Sequence, residues 1–443
     1  MNNEANFSHS PFVICHLSFF ALSPNSQLKS NIFHLYMDVF WYGIFVGSTF
    51  TFIGVYLTRL GASSFQIGLL TAAPAIVNLI ISLPIGRWLE GRSFIHTTFQ
   101  LAIWHRAGFV LTFLLPSLIT GSADQIWAFV SVVSVISIAG GAVTVSFNSM
   151  FAEVVPSEMR AHVVGRRSAL VALTSVITSF VCGRLLDSLL FPLNYQIVFV
   201  LGFIGMVISG WHLGRIRKTD SSVTPPTPVQ PSIQVAPPMS ARAGDGRLSG
   251  LRFGGSTLIR FDVLRGSFRY FLISFFLFYT FQYVPVPLFP LTFVRVLHLT
   301  DGEISLGTGV VFYVAFLITS MSLGWFTTRF GNHRVLVASS LIYCAYPILI
   351  GVWGTKESFW LASFIGGGTW GVLAGALIHR LMESVPENDR PAHMALHNIA
   401  LNLGILGGSL FGPVLGEWFD LRTAMIISGV LRFLAAMMLG VWG

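Results

Sequence analysis

The stretch EVVPSEMRAH, residues 153–162, returns late in the chain as ESVPENDRPAH, residues 383–393. Glu153, Pro156 and Arg160 recur as Glu383, Pro386 and Arg390 at a single offset of 230, and a histidine, His162 or His393, closes each copy. Self-similarity over so long an offset marks a duplicated architecture. A second pair supports it: Gly86, Glu90 and Arg92 in GRWLEGRS answer Gly324, Arg329, Gly331 and Arg334 in GWFTTRFGNHR, at an offset of 238. All four segments follow long apolar runs, so the repeated unit is a set of apolar helices with charged ends.

Composition says what surrounds those helices. Of 443 residues only 10% are Asp, Glu, Lys or Arg, 53% are hydrophobic and Phe alone supplies 40 positions; mean hydropathy is +0.73. A soluble chain needs roughly a quarter of its residues charged. This surface therefore faces lipid, which argues against a soluble enzyme, a nucleic-acid-binding domain and a secreted disulfide scaffold. Cys15, Cys182 and Cys344 are too few and too scattered for a disulfide framework or a zinc site. The pI near 9.7 reads as Arg and Lys held in loops on one side of a membrane.

A helix of about 20 apolar residues crosses the hydrocarbon core. The chain offers twelve such spans, near 34–58, 65–89, 94–119, 125–151, 162–188 and 194–214, then 268–295, 303–328, 334–353, 358–382, 392–416 and 422–442. The predicted fold is all-α and polytopic, two pseudo-symmetric bundles of six helices. The predicted units are a lead-in over 1–33, bundles over 34–214 and 267–443, and a linker over 215–266 rich in Pro, Ser, Gly and Arg. With the N-terminus inside, inner segments hold nineteen Arg and Lys, nine of them in the linker region, against five at the outer ends. That bias predicts both termini and the linker in the cytoplasm, with the protein in the cell membrane. PFVICHLSFFAL, residues 11–22, is too short to span and lacks a basic flank for a signal peptide.

Both repeats sit on the inner side of their halves, so an axis along the membrane normal relates the halves, as in one class of transporter. Here the sequence resembles the major facilitator superfamily over about 34–442. The resemblance rests on the twelve spans, the long inner linker, and a loop signature, Gly-x-x-x-Asp-Arg-x-Gly-Arg-Arg, between helices 2 and 3. The second-half copy keeps Gly324, Arg329, Gly331 and Arg334 with Thr328 at the acid; the first-half copy keeps Glu90 and Arg92 with Gly91 at the first arginine. The family's antiporter signature, Gly-x-x-x-Gly-Pro-x-x-Gly, is absent from helix 5; a similar string, Gly408 to Gly416 with Pro413, stands in helix 11.

A charge inside a span is by default a functional candidate. Asp38, the only acid in helix 1, is expected to couple protons or cations, the alternative being a helix-end acid paired with a loop arginine. Arg106 lies near mid-depth in helix 3 and either binds an anion or makes a structural ion pair; the resemblance favours the pair, because helix 3 is peripheral in that fold. Arg432 in helix 12 reads as structural for the same reason. Glu90, Arg92, Glu153, Arg160, Arg329, Glu383 and Arg390 form an inner belt expected to act as a cytoplasmic gate, with topogenic charge as the plain alternative. The resemblance implies that helices 1, 4, 7 and 10 line the substrate cavity. Tyr42, Asn148, Tyr279, Gln282, Tyr283, Thr369 and Trp370 are the candidate substrate contacts, and their aromatic, uncharged character suits a neutral or amphipathic solute. His393 and His397 share a helix face, but neither HExxH nor a cysteine partner accompanies them, so no metal is predicted.

The expected function is a secondary transporter that moves a small organic solute by alternating access, as a monomer. Its partners are that solute, the bilayer and, if coupled, protons. No cofactor, nucleic acid or catalysis is expected, and no P-loop points to ATP. A non-transporting receptor or scaffold on the same fold, and a multispan lipid-modifying enzyme, are the alternatives.

Overall fold

The computed structural model describes residues 26–89, 91–218, 250–253, 256–260, 263–264, 266, 268–385 and 390–443. Among them twelve helices are long and apolar enough to cross a membrane. The first half holds α1 (Ser26–Arg59), α2 (Ser64–Leu89), α3 (Phe94–Leu118), α4 (Ser122–Val154), α5 (Ser157–Ser188) and α6 (Leu193–Leu213). A hairpin of β1 (Gly250–Phe253) and β2 (Ser256–Arg260) follows. The second half holds α7 (Phe268–Val296), α8 (Asp301–Ser320, continued by Leu323–Phe330), α9 (Asn332–Trp353), α10 (Lys356–Ser384), α11 (Arg390–Trp418) and α12 (Leu421–Trp442).

Large apolar side chains face outward as well as inward. Trp104, Met321 and Leu190 are exposed, while Phe52, Phe129, Tyr195 and Phe359 are fully buried. Helices that are apolar all round belong in hydrocarbon, where each backbone group must be satisfied within its own segment.

The neighbour relations repeat between the halves. In the first, α1 packs on α5 and α6, α4 on α2 and α3, and α3 on α6; in the second, α7 packs on α11 and α12, α10 on α8 and α9, and α9 on α12. The halves meet where α2 packs on α11 and α5 on α8, two contacts exchanged by the same pseudo-two-fold. The string from Gly408 to Gly416 serves these packings. Side chains at Gly408 and Gly412 would collide with the backbone of α7 at Thr280 and Val284, and Pro413 lies against Gly68 of α2. Small residues at that spacing let backbones approach closely.

Two features depart from the sequence reading. The first helix begins at Ser26 rather than near 34, and polar residues in its added turns find partners within the protein. Asn31 donates to the Arg217 carbonyl at 2.8 Å and accepts from its N–H at 3.0 Å, and His34 meets His212 at 2.9 Å. The linker region, most of which lies outside the described residues, carries the β1–β2 hairpin at its far end. Its strand STLIR carries the β-branched residues Thr257 and Ile259, a strand preference that a search for helical spans does not register.

Candidate functional site

Close approach of α1 to α5 builds the site. Side chains at Gly43 and Gly47 would strike Thr174 and the Ser175 carbonyl, so only glycine allows this spacing. One helical level below, Asp38 is buried between three helices. Arg106 Nη2 of α3 donates to Asp38 Oδ1 at 2.9 Å, Ser209 Oγ of α6 donates to the same oxygen at 2.7 Å, and Arg167 Nη2 of α5 reaches Oδ2 at 3.3 Å. Arg106 Nη2 also donates to Ser209 Oγ at 2.9 Å. Arg167 stacks its guanidinium over the Phe147 ring at 4.5 Å. Asp38 is thus no helix-end acid. It stands roughly 18 Å along the axis from Ser26 at 1.5 Å per residue, level with the arginine half-way along α3.

This cluster borders a cavity of about 710 Å³ between the halves. Its wall comes chiefly from α1, α2, α3 and α4, with Arg167 of α5, Tyr283, Val286 and Pro290 of α7, and Asn402 and Ile405 of α11. Of the expected substrate contacts, Tyr42 and Tyr283 line it, as do Asp38, Arg106, Ser137 and Thr144. The other five residues sit elsewhere. Tyr279 is buried with its hydroxyl 3.0 Å from His397 Nε2. The Gln282 carbonyl accepts from Arg432 at 2.6 Å. Thr369 donates to the Ile365 carbonyl of its own helix, Trp370 stacks near Tyr343 at 5.5 Å between ring centres, and Asn148 is exposed on α4. The glycine run of α10 packs on α8, with Gly367 against the Phe312 carbonyl and Gly371 against Thr319, so this helix contributes packing rather than cavity wall. His393 packs against the Phe268 ring at 4.5 Å, and no cluster of metal ligands is found among the described residues.

The two ends of the bundle differ. At the end away from the linker, polar contacts join the halves. Arg59 pairs with Asp301 at 2.7 Å and donates to the Leu299 carbonyl at 3.0 Å and to Tyr195 at 3.3 Å. Arg295 donates to the Ala62 carbonyl at 2.6 Å. Asp187, at the end of α5, accepts from the Gly302 N–H and the Thr300 hydroxyl, each at 3.0 Å, and so holds the start of α8. Ser179 and Ser305 meet at 3.0 Å deeper between α5 and α8.

At the linker end, the contacts shown for the belt stay within each half. Arg92 stacks on Trp88 at 4.1 Å, Arg160 donates to the Val155 and Ala152 carbonyls, and Glu153 stands 4.0 Å from Lys218. Glu383 meets Arg380 at 3.3 Å and accepts from Asn332 at 2.5 Å, and Arg329 is exposed. Glu90 and the side chain of Arg390 lie outside the described residues. The sealed end was missed in the sequence because Arg59, Asp187, Tyr195 and Asp301 lie on four separated segments with no shared spacing. Arg167 stands next to Arg166 near the start of the predicted span 162–188, and nothing in the sequence told the two apart; in the structure α5 brings Arg167 to Asp38.

The family model described as Major Facilitator Superfamily matches residues 35–259 and 271–443. A curated relative, "Probable anion transporter 7" of Oryza sativa subsp. japonica, is 27% identical over 123 residues, which are 27% of this chain and 28% of that protein. The chain thus matches little more than a quarter of that relative's length. Among solved structures, a D-xylose–proton symporter superposes with a TM-score of 0.66 at 14% identity, covering 94% of this chain and 97% of that one. The nucleoside transporter NupG gives 0.63 at 14%, covering 93% and 98%. A bacterial homologue of the human lysosomal transporter Spinster, inward-facing and unoccupied, gives 0.64 at 14%, covering 94% and 96%. At these identities the likeness is one of fold.

Proposed function

This chain belongs to the Major Facilitator Superfamily, and from that premise we propose that it carries a small organic solute across the cell membrane by alternating access. In this reading both termini and the linker are cytoplasmic, as the Arg and Lys excess suggests, and the far end faces outward. One chain suffices as the working unit, because the cavity lies between its own halves. The observation that carries the reading is the asymmetry of the ends. Cross-half bonds such as Arg59–Asp301 and Gly302–Asp187 gather at one end of a central cavity, while the linker-end belt stays within each half. That is one of the two arrangements an alternating carrier must visit. Asp38 is the proposed coupling carboxylate: it borders the cavity, and gaining or losing its proton changes the charge of the cluster it shares with Arg106 and Arg167.

Spin labels test the rocking motion without a known solute. One pair at Ser93 and Arg334 reads the linker end, and another at Ser122 and Lys356 reads the far end. Asp301→Asn removes the charge opposite Arg59, a loss of about 2 kcal/mol for a charged hydrogen bond, or roughly thirtyfold in population. The linker-end distance should shorten as the far-end distance grows. Distances unmoved at both ends would overturn the alternating-access reading.

A further inference from the structure

The cavity wall is unbalanced in charge. Among the described residues of the wall, Asp38 is the only acid, Arg106 and Arg167 both border the cavity, and His105 is the only other basic side chain. With Asp38 ionised, the wall carries one net positive charge in a setting of low dielectric, where an uncompensated ion is costly. The donors are also incompletely used. Among the described residues, Nε and Nη1 of Arg106 and Nη1 of Arg167 have no acceptor. A buried guanidinium is not by itself a call for a ligand, since Arg432 is also buried with its Nε and Nη1 lacking an acceptor. What sets the first-half cluster apart is two guanidiniums, one carboxylate and an open volume beside them.

The rest of the wall defines the body of the ligand. Phe50, Phe109, Phe147, Val286 and Ile405 are apolar, and the volume lies within the usual range for drug-sized ligands. Resting on the transporter reading above, we propose that Arg106 and Arg167 bind the carboxylate of an organic monoanion whose apolar body occupies this cavity, with Asp38 as the internal carboxylate that it displaces. A planar carboxylate matches the guanidinium fork. One negative charge restores neutrality. Ser209 bonds to both Asp38 and Arg106, so the two carboxylates draw on the same pair of guanidiniums.

The test is a binding panel on detergent-purified full-length protein. It compares straight-chain monocarboxylates from acetate to decanoate, benzoate and phenylacetate with the amide of each, by thermal shift and calorimetry. At least one carboxylate should bind saturably where its amide does not. Arg167→Gln and Arg106→Lys should each weaken that binding about tenfold or more, whereas Lys356→Gln, a charge removed at the far end, should not. Arg106→Lys keeps the charge beside Asp38, so a loss of binding there reports the guanidinium fork rather than a loss of folding. Asp38→Asn should tighten carboxylate binding about tenfold. Amides binding as well as acids, no acid binding, or affinities unmoved by the Arg and Asp38 variants would each overturn the proposal. Counterflow in proteoliposomes separates the two readings: carboxylate binding without flux sinks transport and leaves the site, whereas flux of a neutral amide alone sinks the site and leaves transport.

Discussion

Among the described residues each half buries one arginine between equivalent helices, and the two are answered differently. Arg106, on α3, meets Asp38 of α1 and Ser209 of α6. Arg432, on α12, meets the Gln282 carbonyl of α7 and lies 4.8 Å from the Tyr343 ring of α9. The second arrangement follows from the prolines of α7. The Val286 N–H that would serve Gln282 bonds to Tyr283 instead, because Pro287 has no N–H to offer that carbonyl. Arg432 caps the carbonyl thus released. A carboxylate can change charge and a helix carbonyl cannot, so only the first arginine stands in a site that can switch. The same duplicated scaffold holds a buried ion pair in one half and a capped carbonyl in the other.

The largest effect should follow loss of the switchable group. Asp38→Asn strands two guanidiniums without a counter-ion, and breaking a buried pair in this way costs about 3 kcal/mol or more. Melting in detergent should show the loss, and the double variant with Arg106→Gln should recover much of it, since residues in one network do not add independently. In proteoliposomes the single variant should lose pH-driven accumulation yet keep exchange. Accumulation that persists would remove Asp38 from coupling.

Arg432→Met should cost less, about 1–2 kcal/mol for one orphaned carbonyl, and no acid substitution elsewhere should compensate for it. Replacing Pro287 in that background restores an N–H for Tyr283 and frees Val286 to serve Gln282. If Pro287→Ala does not recover stability, the cap is not what Arg432 supplies. Carboxylate binding should be the same in this variant as in the parent.

The fold was legible because hydrocarbon imposes a length and an apolar composition on every span, and because duplication wrote the pattern twice. The Glu153 and Glu383 repeats gave the halves their order without reference to any contact. The site was only partly legible. Asp38 and Arg106 stood out as charges in spans, but their partnership joins residues far apart in sequence, with no spacing to betray it. Arg167 hid beside Arg166, and Ser209 is one hydroxyl among many. Thr369 and Trp370 are polar or aromatic at mid-depth, as cavity residues are, yet the Ile365 carbonyl and the Tyr343 ring occupy them. The sealed end was the least legible, for its bonds join residues near the ends of different helices, brought together by the docking of the halves.

The smallest expected effect lies at the end that is not sealed. Glu153 is part-exposed and 4.0 Å from Lys218, an ion pair of the same half whose side chain is largely exposed. Such pairs contribute about 0–1 kcal/mol, so Glu153→Gln should leave the melting temperature of this arrangement almost unchanged. The gate proposal assigns the belt a role only when the linker end closes, where several weak cross-half pairs would act together. The variant should therefore shift cysteine accessibility at the linker end toward the open form, and do so most clearly in the Asp301→Asn background, where closure is favoured. Accessibility unchanged in both backgrounds would reduce the belt to charge that orients the chain in the bilayer. Among the described residues the polar contacts between the halves would then be those of the far end.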